Sequence, residues 1–188
     1  TTTNVSTAGA KTITMTPIGS TAANVDRYPE GEGLRMFVAS YAAMGANAPT
    51  MQATYTNSAG TAGKTTQAGI VSTASATSGI LLNSGNAANK VGPFLNLAAG
   101  DTGVKDIQTL TWGGTAHASG SVFIGLCKPL CMPIPVPATG LFNLVDFVNT
   151  LPSMPRLRNG ANVQFLIFAT GATTSAATLY ANFDYGWN

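Results

Sequence analysis

Gly60-Thr61-Ala62-Gly63-Lys64-Thr65 is the first stretch whose residue types could do chemistry, because it ends as a phosphate-binding loop ends. Such a loop needs a glycine, four residues, then Gly-Lys-Thr, so that backbone amides and the lysine surround the phosphates. Counting back five from Gly63 reaches Ser58, and the first glycine is missing. The helix whose N-terminus should face the phosphate is missing as well, since Gly69, Gly79 and a β-branched, Ser-rich run follow. The expectation is a hairpin or surface loop that binds no nucleotide.

The single histidine, His117, would have to serve any Ser/His/Asp arrangement. It lies in Gly113-Gly114-Thr115-Ala116-His117-Ala118-Ser119-Gly120 with no nucleophile elbow nearby, and reads as an exposed loop histidine. Acid–base catalysis needs two titratable groups pushed to different pKa values in one pocket. Glu30 and Glu32 flank Gly31 in a turn-like segment and read as solvated. Asp101, in Gly100-Asp101-Thr102-Gly103, reads as a turn carboxylate accepting from neighbouring backbone amides. Lys105 and Asp106 follow in a strand, within reach of cross-strand partners, and Asp146 falls on the polar side of a short helical segment.

Cys127 and Cys131 would stand about 13 Å apart in an extended segment rising ~3.3 Å per residue. Two reduced thiols are the expectation. The alternatives are a local disulfide through a turn at Pro129, or half of a zinc site that lacks its second Cys/His pair. Neither metal nor cofactor is expected. Arg156 and Arg158, two residues apart, are the closest pair of cations and point to solvent or to a neighbouring subunit, since guanidinium groups suit partly desolvated contacts.

The elements that must position these groups are those of one domain. The chain has 188 residues, and only 9% of them are charged, against about 25% in an ordinary soluble protein. A net charge of +2 without a Lys/Arg run gives no footprint for nucleic acid. With 45% hydrophobic residues the chain should fold, on a surface of Thr, Ser, Asn, Gly and Ala that favours association. Thr1 to Ala23 shows neither a basic start nor an apolar core, so no secretory leader is expected there, and no apolar run approaches the ~18 residues of a spanning helix. No membrane partner is expected.

Twenty-one glycines and ten prolines punctuate the chain too often for long helices, and the runs between them are rich in Thr, Val, Ile, Phe and Tyr. Strands are expected at Lys11 to Thr16, Leu34 to Ala42, Thr50 to Thr56, Gly69 to Ser75, Gly79 to Leu82, Val91 to Leu97, Val104 to Trp112, Ser121 to Leu126, Ala161 to Ala169 and Ala177 to Tyr185. Val163 to Ala169 is apolar on both sides and reads as a strand covered front and back. One short helix is expected at Leu141 to Leu151, stopped by Pro152. Thr1 to Glu32, Asn57 to Gln67 and Cys127 to Thr139 read as long loops, the last extended through Pro133, Pro135 and Pro137. The fold class is all-β, an antiparallel, jelly-roll-like β-sandwich, with residues 1–27 as an N-terminal arm and 28–188 as the domain.

Tyr55 to Thr65, Leu151 to Ala161 and Gly100-Asp101-Thr102-Gly103-Val104 between them resemble virion structural proteins of tailed bacteriophages, over roughly Tyr28 to Trp187. In size the chain most resembles capsid decoration, or cement, proteins. The resemblance implies a β-domain bound as an oligomer, a trimer favoured, on the outer surface of a capsid, made in the host cytoplasm, with the major capsid protein as chief partner. It carries over no site residues.

From the residues themselves, Pro133, Pro135, Pro137, Arg156 and Arg158 are the candidate interface. The expected function is therefore that of a non-enzymatic structural protein. The alternative is a fibre or carbohydrate-binding β-domain, which would need Tyr41, Trp112 or Tyr180 exposed in a groove. A hydrolase is least favoured.

Overall fold

Met51, Ala53 and Tyr55 alternate with Gln52, Thr54 and Thr56, and a pleated strand sends the first set to one face and the second to the other. The computed structural model describes residues 2–4, 11–15, 28–68, 70–72, 74–76, 78–79, 81–82, 93–114 and 117–130. Among them are eight strands and no α-helix: β1 (Thr2–Asn4), β2 (Lys11–Thr14), β3 (Arg35–Ala42), β4 (Thr50–Asn57), β5 (Lys64–Thr65), β6 (Ile70–Val71), β7 (Val104–Gly113) and β8 (Ser121–Cys127). They form two antiparallel sheets, β1-β8-β3 and β2-β7-β4-β5, with β6 also paired to β4.

The fold is all-β, and one core lies between the sheets. Met36, Val38, Val122 and Ile124 enter it from the three-stranded sheet, and Ile13, Met51, Ala53, Tyr55, Leu110 and Trp112 from the other. Burying each large apolar side chain there contributes about 1.5–3 kcal/mol relative to leaving it exposed.

β7 reaches this core by breaking its own alternation. Thr54 pairs with Thr109 but Tyr55 with Ile107, and Thr56 pairs with Asp106 but Asn57 with Val104. Each skipped residue, Gln108 and Lys105, is a β-bulge that flips the parity of the strand. Val104, Ile107, Leu110 and Trp112 therefore all face inward. The bulged side chains turn outward to new partners: Lys105 Nζ lies 3.2 Å from Glu30, and Gln108 Oε1 accepts from Gly63 N.

β3 is covered on both faces. Opposite the core, Phe37 and Ala39 pack with Leu81, Phe94, Phe123 and Cys127, and the Phe37 and Phe123 rings meet edge to face at 5.8 Å. The doubly covered strand expected at Val163 to Ala169 lies outside the described residues.

Five expected strands appear within a few residues of their expected bounds, as β2, β3, β4, β7 and β8. Gly69 to Ser75 contracts to β6. Of the strands expected at Gly79 to Leu82 and Val91 to Leu97, the described residues 79, 81–82 and 93–97 run along the outer edge of β3 without a ladder. Gly79 N donates to Ser40 O, Leu81 bridges Ala39, and Leu95 N donates to Met36 O, while Asn96 O accepts from Gln67 N, just beyond β5. Isolated bonds of this kind do not make a ladder. Residues 57–67, expected as a loop, contain β5, so the phosphate-loop look-alike is the turn of the β4–β5 hairpin. Strand β1, not foreseen, pairs Thr2 with Phe123, and residues 1–27 thus supply a strand to each sheet. Residues 133, 135, 137, 156 and 158, the helical segment 141–151, Cys131, Asp146, Tyr180 and the strands 161–169 and 177–185 lie outside the described residues.

Candidate functional site

The two sheets are tied at one end by backbone. Glu32 bridges Gly103, Val104 N donates to Gly31 O at 3.0 Å, and Gly33 N donates to Thr102 O at 3.2 Å. Gly31 has φ of +65°, and a Cβ there would overlap the Val104 carbonyl, so the approach requires glycine. Arg35 pairs with Cys127 and Asn57 with Val104 at this same end.

Charge follows the register. Of the nine charged residues described, Glu30, Glu32, Arg35, Lys64, Asp101, Lys105, Asp106 and Lys128 fall at the end where β3 and β7 begin and β4 and β8 finish, and Lys11, paired with Trp112, falls toward the other. Asp101 is the centre of a network. Its carboxylate accepts from Tyr55 Oη at 2.6 Å and from Asn57 Nδ2 at 2.8 Å, while Ala98 N donates to Tyr55 Oη at 2.8 Å. The expected bonds to adjacent backbone amides are replaced by side chains from β4, because the 98–103 turn folds back over that strand. The hydrogen bond from Tyr55 holds the Asp101 carboxyl below the ordinary carboxylate range, and Asn57 adds to it. Burial, with Asp101 beside it, pushes the Tyr55 phenol up to about 12. Asp106 is buried, which raises its pKa. Glu30 is solvated apart from its pairing with Lys105, as is Glu32 apart from accepting from Thr102 Oγ1. Lys128 Nζ stands 5.2 Å from the Tyr28 ring centroid.

The opposite end is formed by the loops 43–49 and 114–120 and the segment 72–79, whose sequences hold no Asp, Glu, Lys or Arg. Gly45 is their hub: its N donates to Ser119 O at 3.0 Å and its O accepts from Ser75 N at 2.9 Å. A Cβ at Gly45 would stand 2.8 Å from Ala118 N, so only glycine allows this approach. Ser75, with φ of 50°, is the one non-glycine with positive φ among the described residues.

His117 lies here, and the expectation of an exposed loop histidine is overturned: its side chain is fully buried. Nε2 lies 2.8 Å from Ser72 Oγ, and Nδ1 lies 3.4 Å from the Gly45 carbonyl. Trp112 meets the imidazole edge to face at 5.5 Å. A Ser–His pair of this kind is no nucleophile, because Ser72 is buried too and no described carboxylate orients the imidazole. Burial lowers the His117 pKa.

Trp112 is likewise buried, which removes it from any sugar-stacking groove. Tyr41, 65% exposed, is the one large exposed hydrophobic side chain among the described residues, and it stands at the rim of the uncharged end. At the same end, Asn47, Ala48, Pro49, Thr50, Gly113 and Gly114 line an open cleft of about 320 Å³. Sequence reading misses this surface because its loops are separate in the chain; the absence of charge in all of them is the signal.

Among the described residues no group of three His, Cys, Asp or Glu side chains stands together as a metal site. Cys127 is a free thiol whose pKa burial pushes up to about 11. No family model, curated protein or solved structure matches this chain.

Proposed function

We propose that this chain is a non-enzymatic structural protein that docks through the uncharged end of its sandwich, and that the surface it docks on is a phage capsid. It would act there as a decoration protein bridging subunits of the major capsid protein. The observation that carries the docking reading is the segregation of charge among the described residues: apart from Lys11 at the start of β2 the charged ones lie at one end, and the loops of the other offer backbone and small polar side chains, with the Tyr41 ring of β3 at their rim. Protein interfaces exclude charge from their centres and favour such aromatic anchors, because no ion has to be stripped of water. The virion setting rests on the resemblance of Tyr55 to Thr65, Gly100 to Val104 and Leu151 to Ala161 to phage structural proteins. A protein that binds only the assembled shell stabilises it by mass action, about 2.7 kcal/mol per site at a hundredfold excess over Kd. The scarcity of charge also favours a closed homo-oligomer, a trimer first among the choices.

The test is binding to emptied phage heads, with light scattering on the free protein. Saturable binding and a mass that is a small multiple of 19.1 kDa are expected. Tyr41→Ser and Ala48→Glu, both at exposed positions, should weaken head binding at least about tenfold, or ~1.4 kcal/mol, without lowering Tm. Lys64→Ala, at the charged end, should leave binding unchanged. A monomer that binds no heads would overturn the reading. Glycan binding lost in Tyr41→Ser would favour a fibre or receptor-binding domain, for which the exposure of Tyr41 is the supporting observation.

A further inference from the structure

His117 is the single histidine of the chain, and it is buried where three uncharged segments meet. Neutral imidazole satisfies that position with both nitrogens. Nδ1–H donates to the Gly45 carbonyl of the 43–49 loop, and Nε2 accepts from the Ser72 hydroxyl at the end of β6. The ring itself hangs from the 114–120 loop and rests against Trp112 of β7. Backbone bonds converge on the same point: Ser72 N to Pro49 O, Ser75 N to Gly45 O, Met44 N to Ala76 O and Gly45 N to Ser119 O.

A second proton is poorly served here: backbone bonds with Gly45 and Asn47 favour the charged ring, but burial outweighs them. Nε2–H would have to donate to Ser72, whose own proton then needs another acceptor, and none is found among the described residues. Among the described residues no carboxylate answers the charge either: Glu30, Glu32, Asp101 and Asp106 belong to the far end of the sandwich. The elements packed on the ring present Ser72, Gly45, Asn47 and Trp112, none of which ionises near neutrality. Among the described residues the nearest charged one by register is Lys11, opposite Trp112, and it is a cation. The Trp112 ring repays only part of the hydration that an imidazolium would lose.

We propose that His117 is an acid-sensitive latch: neutral, it locks the three loops of the uncharged end together, and on protonation it releases them. The latch uses residues of this chain alone and stands whatever that end binds. Burial lowers the His117 pKa, so the unfolded or opened chain takes up the proton first. Stability is thus fully present above the unfolded value of about 6.5 and falls as pH drops below it.

Two measurements on the intact chain test this. The one imidazole signal in the NMR spectrum should titrate below the ordinary value of about 6.5. Amide exchange of Met44, Gly45, Ser72 and Ser75, corrected for intrinsic rates, should quicken at least about tenfold between roughly pH 7 and pH 5, while Val38 and Leu110 stay protected. Ser72→Asp would place a carboxylate at Nε2, raise the imidazole pKa and abolish that acid loosening; His117→Gln would abolish it by removing the proton site. Titration at or above the ordinary value in the unaltered chain, or acid loosening that persists in His117→Gln, overturns the latch. If Ser72→Asp does not fold, the unaltered chain and His117→Gln decide.

Discussion

Tyr55 and Asp101, 46 residues apart in sequence, share a 2.6 Å hydrogen bond that fastens the 98–103 turn to the end of β4. The phenol donates to the carboxylate while accepting from Ala98 N, so one oxygen satisfies two groups of the turn.

Tyr55→Phe should therefore cost about 1–3 kcal/mol, because the Ala98 amide and the carboxylate each lose a partner. The pH profile should change with it. Asp101 is held below its ordinary range, so its contribution is present above the unfolded carboxylate pKa and lost as pH falls through the folded one. The tyrosine acts at the other extreme: stability falls as pH rises from the unfolded value near 10 toward about 12. Denaturant unfolding at several pH values should show both slopes flattened in the variant, and unchanged slopes would show that the bond does not form in solution.

Gly31→Ala should destabilise by about 2 kcal/mol or more, since the added methyl meets the Val104 carbonyl and φ is positive. Gly60→Ala, with equally positive φ but open space around it, should cost only the backbone strain of about 1 kcal/mol. Urea midpoints that fail to separate the two would remove the argument from close approach.

Cys127 should resist alkylation in the native chain. With its pKa pushed up to about 11, it holds roughly a thousandth of its sulfur as thiolate at about pH 8, against a quarter or so for a free thiol. Iodoacetamide followed by mass spectrometry should label the peptide containing Cys127 quickly only after denaturation. Excess chelator should leave Tm unchanged, and a drop of many degrees would revive a metal site.

ATP should not bind. Lys64 sits in the β4–β5 hairpin, where Gly60 and Gly63 shape a turn open to solvent and not a cradle of amides at a helix. Calorimetric titration with MgATP should give no binding heat; heat that disappears in Lys64→Ala would reverse this.

The sequence by itself determined the class of fold and the places of β2, β3, β4, β7 and β8. Strict alternation in Met51 to Tyr55 and glycine-rich breaks between runs are local signals, and a pleated strand reads them locally. It also led to the expectation of no ordinary catalytic set, because 9% charged residues leave few groups to build one. What only the tertiary structure decided is where each of those groups went. Alternation cannot foresee the bulges at Lys105 and Gln108, which exist only in register with β4. A loop of small residues around His117 reads as exposed until Ser72, 45 residues earlier in sequence, closes over it. Asp101 reads as a self-contained turn until Tyr55 reaches it. The gathering of charge at one end appears only when antiparallel pairing sets the start of β7 beside the end of β4. Strand formation depends on neighbours within a few residues, whereas burial, partnership and charge placement depend on contacts across the chain, and those are fixed only once the two sheets have closed on their common core.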